Sequence, residues 1–234
     1  LILRKGKHFL WSRGEELITN KFPELEVLKD QLPEGTVIDG ELIPFKNGVI
    51  GNFQDLQKRI GRKTVSKKLR EDIPIVLMAY DLLEQEGLDL RQQPLWERQK
   101  KLAVLLKHNK CSESPLLLSE VYRFENWEAV HSERELANEK RSEGLMLKHR
   151  ESPYGVGRKK GQWWKWKSDP KSIDAVLTYA MRGHGRRTNL YTDYTFALWN
   201  QGELVTFAKA YSGLTDDEIK KIDQFVKQNT LDLV

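Results

Sequence analysis

The eleven residues Ile73–Leu83 form a nearly unbroken apolar run, IPIVLMAYDLL. A run of that length and β-branched content suits a strand covered on both faces, since a strand with one wet face would alternate apolar and polar residues. Such a strand needs neighbours in its sheet and layers above and below. The flanking sequence offers both. Thr36–Phe45 is a second β-rich run closed by the Lys46-Asn47-Gly48 turn signal. Pro94 stands at the start of a helix whose stripe is Leu95, Leu102, Leu105 and Leu106. The order of elements predicts an α/β layout with a sheet of about five strands or more.

The chain starts on apolar strand-like residues. Leu1–Arg4 and His8–Arg13 read as a hairpin about Lys5-Gly6-Lys7, and Phe22–Leu32 as a helix with Leu25 and Leu28 inward. Asn52 is placed to cap a helix that presents Phe53, Leu56 and Ile60, and Asn126–Lys140 reads as a second, charge-rich helix. After Pro170 the texture changes to short β segments at 174–181, 191–199 and 204–211, which suggest a small barrel. They are followed by a capping box at Thr215–Glu218 whose helix turns Ile219, Ile222, Phe225 and Val226 inward. The boundary falls at Asp169–Lys171, giving domains 1–169 and 170–234.

With 39 Lys and Arg against 34 Asp and Glu, the net charge is +5, which favours a polyanionic partner such as nucleic acid. A single cysteine, Cys111, excludes a disulfide framework or a Cys-rich zinc module within the chain. No apolar stretch reaches the ~20 residues of a membrane span, and a cytoplasmic location without membrane attachment is expected.

Several residues carry chemistry. Asp39 and Glu41 lie two apart on one strand and so share a face, where acids amid apolar residues call for a cation or donor. Glu143 precedes the strand Gly144–Lys148, and with Asp39 and Glu41 it would supply an all-oxygen ligand set of the kind Mg²⁺ prefers. Lys165 and Lys167 alternate with Trp164 and Trp166, so the two ammonium groups share a surface, either as a solvated basic edge or as a phosphate clamp facing Glu143. Tyr80 is either core or a ring offered to a planar base. Arg13 is a surface charge or a phosphate contact. Basic loops at Gly155–Gly161, with Arg158, Lys159 and Lys160, and at Gly183–Arg187, with Arg186 and Arg187, are solvated by default but suited to nucleic acid.

Taken in order, Ser12-Arg13, Asp39-Gly40-Glu41, Tyr80-Asp81-Leu82-Leu83, Glu143–Lys148 and Trp164-Lys165-Trp166-Lys167 resemble the motifs of ATP-dependent DNA ligases, members of the covalent nucleotidyltransferase superfamily. The bacterial type is most similar. The resemblance implies an adenylation domain of mixed, mainly antiparallel sheets with helices, followed by an OB-fold β-barrel of which only the first part lies in this chain. It implies ATP and Mg²⁺ (or Mn²⁺) as cofactors, nicked duplex DNA as partner, a monomer, and work in replication, repair or recombination near the nucleoid. Position by position, Arg13 would contact the adenylate or the nick phosphate, Glu41 the ribose or a metal, and Tyr80 the adenine. Glu143, with Glu41 and possibly Asp39, would hold Mg²⁺. Lys165 and Lys167 would hold the α-phosphate, with Lys148 and Lys159 as further nucleotide contacts, and Arg158, Lys160, Arg186 and Arg187 would touch DNA.

In the family a lysine amine attacks the α-phosphorus of ATP and pyrophosphate leaves. The adenylate passes to a 5′-phosphate, and a 3′-hydroxyl then displaces AMP. The Lys-x-Asp-Gly-x-Arg motif that carries this lysine occurs nowhere in the sequence, nor do the later OB-fold strands and their closing basic motif. The chain therefore reads as an interior fragment, expected to be inactive as given. RNA ligases, capping-type nucleotidyltransferases and non-catalytic nucleic-acid-binding modules are the alternatives.

Overall fold

The computed structural model describes residues 1–108, 114–137, 139–157, 159–170 and 172–231. Cys111 and Arg158 lie outside the described residues. The chain divides into two compact units, Leu1–Ser168 and Asp169–Val234.

The first unit is built on the apolar run, which forms β5 (Ile75–Gln85). Its long antiparallel neighbour is β3 (Val37–Lys46), paired from Val37↔Glu84 to Pro44↔Ile75. Beyond β3 come β1 (Ile2–Arg4) and β2 (Lys7–Phe9), while β4 (Val49–Ile50) turns back on β3 through Asn47 and Gly48, both at positive φ. β6 (Leu88–Asp89) and the parallel strand β7 (Leu116–Leu118) pair with β5, giving a mixed, mainly antiparallel sheet of seven strands. Ile75, Leu77, Ala79 and Leu82 of β5 are buried together with Leu3, Phe22, Leu25, Leu28 and Ile38 and with Leu102 and Leu105 of the 14-residue helix α4 (Leu95–His108). Burying so much aliphatic surface, at roughly 25 cal/mol per Å², fixes the sheet's register.

Some local expectations change. The segment after Phe22 is a 3₁₀ turn (Pro23–Val27) and then one α-turn, α1 (Leu28–Gln31), which stops at Leu32, held extended as the residue before Pro33. Asn52 does cap α2 (Phe53–Ile60), its Oδ1 accepting from the Asp55 amide at 2.9 Å. The buried residue of α2, however, is Arg59, and Phe53 and Ile60 face solvent. The apolar spacing misleads there because the Arg59 guanidinium finds carbonyls and a carboxylate beneath the helix and so can be buried. A short helix α3 (Lys67–Asp72), capped by Ser66, follows. Asn126 caps α5 (Trp127–Glu135). The unit ends in a separate hairpin, β8 (Gly144–Lys148) and β9 (Trp163–Lys167), paired Gly144↔Lys167 through Lys148↔Trp163.

The second unit is an open antiparallel sheet, β10 (Val176–Arg182), β11 (Tyr191–Asn200) and β12 (Glu203–Ala210), followed by α6 (Asp216–Asn229), which packs on β11. The Thr215–Glu218 capping box is present, and Ile219 and Val226 are buried. Phe225 is exposed, and Asp223 takes an inward place, accepting from the Tyr191 amide at 3.2 Å and from Lys227 at 2.6 Å. Among the described residues the three strands do not close a barrel.

Candidate functional site

The β8–β9 hairpin has two unlike faces. Residues opposite each other across an antiparallel pair project to the same side, so the pairing puts Met146, Lys148, Trp163, Lys165 and Lys167 on one face and Leu145, Leu147, Trp164 and Trp166 on the other. On the second face the Trp166 ring is met edge-on by Trp127 and His131, and the Arg134 guanidinium lies 5.3 Å above it. Arg134 also donates through Nε to the Lys167 carbonyl at 2.8 Å. Helix α5 thereby fixes the strand whose lysines point the other way.

On the first face, Lys165 and Lys167 converge on one oxygen. Lys165 Nζ donates to Glu143 Oε2 at 3.1 Å, and Lys167 Nζ stands 3.4 Å from the same atom. The hydrogen bond from Lys165, reinforced by the charges of both lysines, holds the Glu143 carboxyl below its usual range. Two ammonium groups this close need an anion between them, and Glu143 provides it. The Ser168 amide donates to the Glu143 carbonyl at 2.9 Å, which pins the backbone there.

Gly144 has no alternative at the turn into β8. Its φ is +135°, and a Cβ would meet the Trp166 carbonyl oxygen at 2.2 Å.

At the other end of this face, about 13 Å along β9, lies an aromatic and charged cluster. The Lys148 ammonium sits 4.2 Å from the ring centres of both Tyr80 and Trp163. Burial lowers its pKa, against the raising effect of Asp81 and Asp39. Tyr80 arrives there because the β3–β5 register shifts between Asp39↔Asp81 and Gly40↔Ala79, leaving Tyr80 as the extra residue of a β-bulge. Bulges re-aim a side chain in this way. Its phenol is pushed well above its ordinary range by burial and then by the Asp39 carboxylate, with Glu41 contributing from farther along β3.

Asp39 also accepts from the Tyr154 hydroxyl at 2.8 Å, and that phenol too is raised, by burial first and Asp39 second. Below them, Asp81 and Arg98 are fully buried and joined by two bonds, Nε to Oδ1 at 2.7 Å and Nη2 to Oδ2 at 2.8 Å. Arg98 further donates to the Ser152 carbonyl at 3.1 Å, Trp96 donates its amide to the Arg150 carbonyl at 3.2 Å, and Trp163 Nε1 reaches Ser152 Oγ at 2.9 Å. The hairpin loop is thus tied to the head of α4.

Of the residues singled out in the sequence, the fold brings Tyr80, Asp39 and Lys148 together at one end and Glu143, Lys165 and Lys167 at the other. Glu41 is exposed beside Tyr80. Asp39, Glu41 and Glu143 do not form one ligand set. Glu143 opens a separate hairpin and is engaged by lysines, and among the described residues no group of three His, Cys, Asp or Glu side chains could hold a metal ion. Arg13 is exposed in the Ser12–Glu16 turn, with no described contact to either cluster. Lys159 is exposed, its stem against Gly155, and Lys160 is exposed too. Arg186 and Arg187 pair with Asp216 at the first turn of α6, Arg186 at 3.7 Å, so they brace that helix start. Sequence reasoning missed Tyr154, Trp163, Ser152 and the Asp81–Arg98 pair. Only the adjacency of Asp81 to Tyr80 hinted at any of them.

The arrangement offers two rings and a carboxylate network at one end and a two-lysine clamp at the other, a layout able to hold a planar group and an anion joined by a short link.

Comparisons with known proteins give the family and the fold. A family model described as an ATP dependent DNA ligase domain matches residues 2–167. A probable DNA ligase of Koribacter versatilis is 33% identical over 248 residues, covering 98% of this chain and 43% of that protein. A DNA ligase of Haloferax volcanii is 29% identical over 237 residues, covering 95% and 38%. The chain thus spans less than half the length of these curated relatives. A solved mycobacterial DNA ligase D complexed with ATP and MES superposes with a TM-score of 0.56 at 21% identity, covering 97% of this chain and 67% of that one, which shows a shared fold. Among the described residues no helix is long and apolar enough to cross a membrane.

Proposed function

Because the chain belongs to the ATP-dependent DNA ligase family, we propose that it is the nucleotide-holding part of an enzyme that seals nicks in duplex DNA through a lysyl-adenylate and a DNA-adenylate. The observation that carries the reading is the single hairpin face bearing both the Lys148–Tyr80–Trp163 cluster and the Lys165–Glu143–Lys167 clamp. The adenine stacks at the Tyr80 end. The α-phosphate takes the place of the Glu143 carboxylate between the two ammonium groups, which neutralise charge that builds as the phosphorus is attacked in line. Residues 1–169 act as the adenylation domain and 170–234 as the opening of an OB-fold, in a cytoplasmic monomer.

Among the described residues no ligand set for the expected Mg²⁺ or Mn²⁺ is gathered. What the chain itself supplies at the phosphate is lysine charge, with Asp39 and then Glu41 the carboxylates at the Tyr80 end and Glu143 the one between the lysines. No Lys-x-Asp-Gly-x-Arg motif occurs in the sequence, so the chain binds nucleotide without forming a covalent adduct.

The test is titration with AMP and ATP, followed by tryptophan fluorescence, alongside incubation with α-labelled ATP. Saturable binding that K165A/K167A abolishes, with no stable label, is the expected result. A label mapped to one of its lysines, or no binding at all, contradicts the reading. Preference for GTP, or for a nick bearing RNA in the intact protein, would favour the capping-type or RNA-ligase alternative.

A further inference from the structure

The most one-sided charge in the molecule lies away from the hairpin face. From Leu56 to Arg70 there are seven Lys and Arg residues and no Asp or Glu. This segment forms most of α2, the turn after it, and the first four of the six residues of α3. It is firmly seated. The fully buried Arg59 guanidinium donates to the Ile73 carbonyl at 2.7 Å, to the Lys21 carbonyl at 3.0 Å and to both Glu24 oxygens at 2.8 and 2.9 Å, and lies 5.7 Å over the Phe22 ring. Lys21 in turn donates to the Arg62 carbonyl. Asn52 and Ser66 cap the two helices.

Of the exposed cations, Lys58 is paired with Asp55 at 2.8 Å, and Lys67 stands 3.9 Å from Glu71. Arg62, Lys63 and Lys68 are exposed and have no described acidic partner. A segment held this firmly by its one buried arginine, while three of its other cations have no described acidic partner, bears self-repulsion that an external polyanion would relieve.

We propose that the α2–α3 segment is a sequence-independent contact for the phosphate backbone of duplex DNA, with Arg62, Lys63 and Lys68 as its phosphate-neutralising groups. This rests on the ligase reading, since it takes nicked duplex as the partner. The position suits it. Arg141 Nη1 donates to the Ile50 carbonyl at 2.7 Å, which ties the turn leading to Glu143 to the strand that leads into α2. A duplex lying along the segment would approach the phosphate end of the hairpin face.

Each phosphate neutralised releases condensed counterions, so log K against log[salt] falls with a slope of about −0.9 per contact. Binding of a fluorescent nicked duplex by the 234-residue chain is measured by anisotropy between about 50 and 200 mM KCl for the wild type and for R62Q/K63Q/K68Q. K100Q/K107Q/K221Q, which lowers net charge equally with exposed lysines elsewhere, serves as the control. Circular dichroism and AMP affinity confirm the fold of each. The expected result is a slope shallower by about 2–3 in the first variant and nearly unchanged in the control. Duplex binding with the wild-type slope in the first variant, or an equal change in both, overturns the surface while leaving the ligase reading intact. A wild type that binds AMP but no duplex overturns the DNA-partner reading and the surface together.

Discussion

Removing Arg98 should damage this protein more than removing any exposed charge. Arg98 and Asp81 are both fully buried and joined by bonds of 2.7 and 2.8 Å, and Arg98 also supports the carbonyls of Ser152, at 3.1 Å, and Gln93. In Arg98→Met the Asp81 carboxylate stays in a dry interior without its partner, a loss of about 3–5 kcal/mol. The two abandoned carbonyls bring the total to about 4–6 kcal/mol. At about 2–4 °C per kcal/mol for a unit of this size, the midpoint should fall by roughly 10–20 °C.

Urea melts of both proteins read out the loss. D81L/R98M, which removes both charges, should recover most of the loss. A single variant that loses less than about 1 kcal/mol would refute the assignment of this pair as the support of the site.

Tyr154→Phe removes one donor to Asp39 and should cost about 1 kcal/mol in a urea melt, the low end because the pair is partly open to solvent, with a larger relative loss in AMP affinity as Tyr80 loosens. Gly144→Ala must leave φ +135° or displace the Trp166 carbonyl, and should destabilise by about 1–3 kcal/mol and weaken AMP binding through the hairpin; an unchanged melt would refute it. Glu143→Gln frees both lysines from their internal anion, so AMP and inorganic phosphate should bind more tightly by titration calorimetry while the thermal midpoint hardly moves. Burial lowers the Lys148 pKa, so in a ¹⁵N titration its amine should lose its proton below the ordinary lysine value of about 10.4. The folded state disfavours the charged amine, so that penalty disappears as pH rises through the window between the folded and unfolded values.

The sheet was legible because its signal is redundant. The β5 run, its partner Val37–Lys46 and the Asn47-Gly48 turn each point to the same pairing. The lysine clamp was legible for a similar reason, since period-2 alternation alone puts Lys165 and Lys167 on one face. The base end was not. Tyr80 joins Lys148 through a bulge that adds one unpaired residue to β5, and nothing in local composition marks where a ladder slips. Tyr154 sits 115 residues from Asp39 in the chain, so their bond follows only from tertiary placement. Shared residue type did not make Asp39, Glu41 and Glu143 neighbours, since Glu143 is engaged from β9 by Lys165 and Lys167.

Arg59 misled the helix reading for a reason that also organises both candidate surfaces. A guanidinium can be buried when its terminal N–H groups meet a carboxylate and several carbonyls at once, as Nη1 and Nη2 of Arg59 do, and such a group does what a leucine cannot, since it fixes backbone segments that are distant in sequence. Arg98 holds Asp81 of β5 and Ser152 of the hairpin loop, and so sets Tyr80 against Lys148. Arg59 holds Glu24, Lys21 and Ile73, and so sets the α2–α3 cations on the sheet. Neither arginine touches the groups that would meet a ligand. Losing Arg98 should therefore act on the nucleotide end and losing Arg59 on the duplex contact, and the two losses should add, because they share no partner. Strong coupling between R59M and R98M in a double-mutant cycle of stability would show that the two anchors belong to one network instead.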